Sequence, residues 1–111
     1  MSELDAVAAR DDPNALIALL DRVQAKGGSD ELQANVIVAM RHHDTDAIAE
    51  RLERVVNESG GPRSRRAVAT ALGRVGTSTG RRTLRQLEEK DPDERVRHLA
   101  RMSLDQMRER S

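Results

Sequence analysis

Apolar and polar positions alternate along this chain with a helical period, and the pattern then repeats as a block. In residues 64–76, S-R-R-A-V-A-T-A-L-G-R-V-G, the residues Ala67, Val68, Ala71, Leu72 and Val75 fall on one helical face and Gly76 supplies a stop. A shift of 32 residues backward lays this run on residues 32–43, and the same shift forward lays it on residues 96–107, without a gap. Before and between these runs lie three more helical stripes: Leu16, Leu19, Leu20 and Val23; Ile48, Leu52, Val55 and Val56; and a thin one of Leu84 and Leu87, with Arg81 and Arg82 crowding its first turn. Start signals precede each stripe: Asp12-Pro13, Ser29-Asp30-Glu31, Asp44-Thr45-Asp46, Pro62, Thr77-Ser78-Thr79 and Asp91-Pro92-Asp93-Glu94. The last of these predicts a helix from about Pro92 to near Arg108.

Aligning the blocks gives columns of matched character. First helices align Leu20, Leu52 and Leu84, then Val23, Val55 and Leu87; second helices align Val36, Val68 and Ala100, then Ala39, Ala71 and Ser103, then Met40, Leu72 and Leu104. Large and small apolar residues alternating in step suit helices that interlock with their neighbours. No sustained two-residue alternation competes as a strand signal. The expectation is a single all-α domain, an α-solenoid of three helix pairs. Residues 1–11 are expected to form a short N-terminal cap helix with Leu4, Val7 and Ala8 on one face, and residues 12–43, 44–75 and 76–111 the three repeats.

Composition narrows the chemistry. The 111 residues contain no Cys and no Phe, Tyr or Trp, so thiolate chemistry, disulfides and aromatic base-stacking platforms are absent. The acidic N-terminus does not resemble a secretion signal and no apolar run approaches a membrane span, so a soluble cytoplasmic protein is expected, with no membrane partner. Formal net charge is zero, but residues 1–58 carry six Lys+Arg against twelve Asp+Glu, and residues 59–111 carry thirteen against seven. Seven Arg and no acid lie between Arg63 and Arg85. That run reads either as a solvated helical face or as an anion-attracting surface.

The segments D-P-D-E-R-V-R-H-L-A (residues 91–100) and A-L-G-R-V-G (residues 71–76) resemble HEAT repeats of the bacterial and archaeal PBS-lyase HEAT-like subtype. The resemblance covers residues 12–109 as three units. It departs where Arg41-His42-His43 replaces the Gly-x-Val ending, and where Ser64 stands in place of the apolar residue that Leu32 and Val96 keep. It implies a right-handed solenoid acting as a scaffold or binding surface, with the second helix of each pair lining a concave face. On that implication the outward columns of the second helices place Arg65, Arg66, Arg97 and Arg101 in a groove with Arg74 and Arg41 at its rim. The expected partner is an acidic or amphipathic protein segment. The alternative is nucleic-acid phosphate bound by the same arginines, and a lyase-related accessory role has only the subtype's name behind it.

Enzymatic templates fail on the residues. His42 and His43 are adjacent and diverge by about 100° on a helix, so they do not face one metal together; His43 shares a column with Val75 and Met107, which suits packing. The di-iron HEAT-fold class resembling deoxyhypusine hydroxylase uses His-Glu pairs, and no His here precedes Glu. No nucleophile–base constellation or phosphate loop is present, and HEAT-like DNA glycosylases usually carry groove aromatics that this chain lacks. A non-enzymatic protein without cofactor or metal is expected. The last helix, with Val96, Leu99, Ala100, Met102, Leu104 and Met107, carries a broad apolar face, which suits homo-oligomerisation or wider packing on its own pair.

Overall fold

A computed structural model describes residues 12–43, 45–74 and 77–110. The predicted N-terminal cap helix, together with Asp44, Val75 and Gly76, lies outside the described residues. Among those described, six α-helices occur: α1 (Pro13–Ala25), α2 (Asp30–Met40), α3 (Asp46–Arg54), α4 (Pro62–Leu72), α5 (Ser78–Lys90) and α6 (Glu94–Arg110). The first helices of the pairs, α1, α3 and α5, pack in one layer, and the second helices, α2, α4 and α6, pack in another. Two layers of helices, each about 10 Å across, account for the shortest molecular dimension of 18 Å.

Five of the six helix starts are capped from their own sequence. Asp12 accepts from the backbone N–H of Asn14 and Ala15, Ser29 from Leu32, Thr45 from Ile48, Thr77 from Gly80, and Asp93 from Arg95 and Val96. The cap at Asp93 starts α6 at Glu94 rather than at Pro92 as the sequence suggests. The sixth, α4, has no side-chain cap of its own because Gly61 precedes Pro62. Asp30, at the start of α2 one repeat earlier, supplies it: its carboxylate accepts from Arg63 N at 2.8 Å and Ser64 N at 3.2 Å. The fit requires glycine at position 61, where a Cβ would stand 2.6 Å from the Asp30 carboxylate.

The first helices end by a repeated device that periodicity does not reveal. Gly28 N–H donates to Val23 O at 2.8 Å, and one period on Gly60 N–H donates to Val55 O at 2.7 Å, closing a π-helical turn over Val55–Ser59. Pro92 occupies the third position of that column and has no N–H to give. There Asp91 N–H donates to Leu87 O instead, and α5 stays α-helical to Lys90.

The sequence columns coincide with the core. Leu20, Leu52 and Leu84, like Val23, Val55 and Leu87, are buried throughout. Val36, Val68 and Ala100 are buried, and so are Met40 and Leu72, while Leu104 packs on the core only in part. The small-residue column marks the closest approach of α4 and α6. Gly73 lies against Ser103, where a Cβ would meet the Ser103 Oγ at 2.6 Å, and that hydroxyl donates to Ala69 O at 2.6 Å. The thin stripe of α5 is completed by Thr83, fully buried, whose hydroxyl donates to Thr79 O and to Glu53.

Candidate interaction face

Polar contacts between repeats sort the charges before any surface is left for a partner. Along the first-helix layer, Arg51 donates to Asp21 at 3.0 Å and also to Gln24 of α1. One period on, Arg82 and Thr83 donate to Glu53, and Gln86 to Asn57. In the other layer Arg63 pairs with Glu31 at 3.1 Å. In all of these the acceptor belongs to the earlier repeat and the donor to the later one. The acidic first half and basic second half of the sequence are in this way partly the two sides of the same junctions.

Arg65 reverses that direction. Its Nε donates to Asp91 at 2.7 Å and its Nη1 to Gly60 O at 2.6 Å, tying the π turn to the start of the last helix. Asp91 is only 3% exposed at its side chain and Arg65 17%. Arg97 is drawn to the same turn, donating to Asp91 O at 2.7 Å. The column Gln33, Arg65 and Arg97 therefore turns inward toward the connections, since Gln33 likewise donates to Gly28 O.

The six arginines expected in one groove are divided by the structure. Arg41 and Arg66 line a depression of about 240 Å³ on the outer surface of the second-helix layer, together with Arg63, which the sequence counts in the basic run but not among the groove arginines. Its floor is Ala34, Val38, Ala67, Ala71 and Leu99, with Thr70 beside them. A second depression, lined by Glu94, Arg95, His98 and Leu99, continues from it across Leu99. Arg65 and Arg97 are engaged at Asp91, and Arg101 faces a separate cleft between α5 and α6. Arg74 is exposed just beyond α4. The division has a simple cause: positions 65 and 97 lie one residue before 66 and 98, and about 100° of helix rotation turns them from the outer surface to the inter-helix side.

Two features distinguish the outer surface. Val38 and Met102 are the exposed large hydrophobics of the described residues, at 37% and 46%, and they occupy the same column two periods apart, with exposed Thr70 between. The Nε of Arg66 is buried without a hydrogen-bond partner, and this guanidinium acts at a distance on Asp93. Asp93 is held below the usual carboxylate range first by the backbone N–H of Val96, then by that of Arg95 and by the charges of Arg66 and Arg65. The broad apolar face of α6 is mostly used within the chain: Val96, Ala100 and Met107 are buried and Leu99 and Leu104 pack on the core.

Among the described residues no group of His, Cys, Asp and Glu is placed to hold a metal ion, and no helix is long and apolar enough to cross a membrane. Stacked antiparallel helix pairs in two layers, joined by short capped turns and presenting one continuous helical face, define an α-solenoid repeat protein. Residues 15–105 match the family model for HEAT repeats, and the chain belongs to that family. HEAT repeats generally mediate protein–protein interaction and scaffolding. No curated protein and no solved structure matches the chain significantly.

Proposed function

We propose that the outer surface of α2, α4 and α6 binds an acidic, amphipathic segment of another protein. The observation that carries this reading is the depression floored by Ala34, Val38, Ala67, Ala71 and Leu99 and edged by Arg41, Arg63 and Arg66. Small floor residues let a partner's apolar side chains approach the helix backbones, and the arginines offer paired donors to its carboxylates. The track continues past Leu99 along Glu94, Arg95 and His98, and the Val38–Thr70–Met102 column adds exposed apolar side chains on the same three helices. Arg65 and Arg97, engaged at Asp91, do not contact the partner.

Phosphate binding by the same arginines is the competing reading, and the apolar floor of Ala34, Val38, Ala67, Ala71 and Leu99 weighs against it, since it suits apolar side chains rather than a phosphate backbone. The test is a titration of the isotopically labelled chain with a peptide of alternating Glu and Leu, read by amide chemical shifts. The expected result is saturable shifts at Val38, Arg41, Arg66, Thr70 and Leu99, with no comparable effect from duplex DNA at equal salt. Shifts confined to Arg81, Arg85 and Arg101, or DNA binding that falls steeply with salt, would overturn the reading.

A further inference from the structure

The two walls of the outer depression share one spacing. From α2 come Ala34, Val38 and, in helical conformation just past its end, Arg41, at i, i+4 and i+7. From α4 come Arg63, Arg66, Ala67, Thr70 and Ala71, at i, i+3, i+4, i+7 and i+8. Asp30 at the start of α2 caps the start of α4, so the two helices lie side by side and run in the same direction. The walls are therefore parallel helical stripes, each about two turns long.

Along that direction Arg41 stands level with Gly73, its counterpart one repeat on, and Arg66 stands two turns earlier. At 1.5 Å per residue the two charges are separated along the groove by about 10 Å. Val38, level with Thr70, lies midway, and Ala67 and Ala71 complete the floor beside it. Arg63 is drawn off by Glu31 at 3.1 Å, whereas neither Arg41 nor Arg66 meets a carboxylate at ion-pair distance among the described residues. The groove is thus an apolar floor with one available positive charge toward each end. A third helix packs on two parallel helices by seating its side chains at i, i+3, i+4 and i+7 between theirs. Its positions i and i+7 lie about 10 Å apart and return to the same face within about 20°. An extended chain covers the same distance in about three residues with alternating side chains, and so lowers a single apolar side chain between two such acids. A helix lowers two.

We propose that the acidic amphipathic segment binds as an α-helix laid along the groove between α2 and α4, with carboxylates at i and i+7 against Arg66 and Arg41 and apolar side chains at i+3 and i+4 on Val38, Ala67 and Ala71. Leu99, level with Ala67, leads the chain beyond the Arg66 end of that helix toward α6. The proposal rests on the groove reading and adds the conformation and the charge spacing of the occupant.

The test measures binding of the full chain to three peptides by fluorescence anisotropy. Two are alanine-based helices of about 15 residues with the same composition. The matched one carries Glu at i and i+7 and Leu at i+3 and i+4, and the swapped one exchanges the Glu and Leu positions. The third is the alternating Glu-Leu peptide. The matched peptide is expected to bind at least about tenfold more tightly than the swapped one, and more tightly than the alternating one. That advantage is expected to disappear in Arg41→Gln, provided the variant keeps the circular dichroism of the unaltered chain, and Arg66→Gln provides the same check from the other end of the groove. Equal binding of the matched and swapped peptides, an alternating peptide bound most tightly, or an advantage that survives both substitutions would overturn the proposal while leaving the groove reading in place. Binding of none of the three would overturn both.

Discussion

Asp30 shows how one side chain can serve two repeats at once. It occupies the first turn of α2, where a carboxylate favours the helix dipole, and it caps α4 through Arg63 N and Ser64 N. Burial acts to raise its pKa. The Ser64 hydroxyl and the backbone N–H groups of Arg63, Ser64 and Gly61 outweigh burial and hold it below the ordinary value. A carboxylate with a lowered folded-state pKa binds its proton less readily folded than unfolded. Its stabilisation is therefore whole above the unfolded-chain value of about 3.9 and disappears as pH falls through the lower folded value. Asp93 is shifted in the same direction and adds to the same acid window. We expect Asp30→Ala to cost about 1–2 kcal/mol at neutral pH, measured by urea unfolding. The cost should vanish once the solution is acidic enough to protonate Asp30 in the folded state. A cost independent of pH would mean that the charge of Asp30 is not what α4 uses. Ser64 is explained by the same contact: it is buried where the resembling repeats carry an apolar residue, and its hydroxyl donates to Asp30 O at 3.3 Å.

Between α4 and α6 the packing turns on a glycine. Gly73, the residue that follows α4, has φ −62°, so alanine is unstrained there. Its Cβ, however, would stand 2.6 Å from Ser103 Oγ and 2.8 Å from Ser103 Cβ, and the Ser103 hydroxyl is committed to Ala69 O. Gly73→Ala should therefore destabilise by about 1–3 kcal/mol, read as a lowered urea midpoint with unchanged slope; a raised midpoint would show that the helices separate freely. Helix positions and core columns were legible in the sequence because burial at one face imposes its period on the residues, and Leu20, Leu52 and Leu84 repeat that constraint directly. The inter-repeat cap, the π turn and the engagement of Arg65 were not. The cap and the Arg65 contact depend on which atoms meet across about thirty residues, which no periodicity of residue type encodes, whereas the π turn is a local backbone bond spanning five residues. One available signal went unused: Gly28 and Gly60 share a column that Pro92 closes, and a column of glycine broken by proline marks a backbone hydrogen bond present in two repeats and impossible in the third.

At the scale of the whole molecule, the charge asymmetry of the chain has two destinations. Part of it is internal, joining Glu31 to Arg63 and Glu53 to Arg82 across successive repeats. Exposed pairs such as Arg63 with Glu31 contribute little stability individually, on the order of 0–1 kcal/mol, but they fix which arginines remain available. What remains on the second-helix surface is Arg41 and Arg66 around an apolar floor, with Arg63 held at the edge by Glu31. The sequence located the basic region and missed its partition, because Arg65 and Arg66 are adjacent in the chain but face different surroundings. The central claim is that this partition decides binding. It is tested most directly by the affinity of the Glu-Leu peptide for two variants, Arg41→Glu/Arg66→Glu and Arg97→Gln, measured at one salt concentration by fluorescence anisotropy. The account predicts a loss of at least about tenfold for the first, whose charges face the peptide, and an affinity within about twofold of the unaltered chain for the second. Equal losses in both, or a loss only in Arg97→Gln, would contradict it.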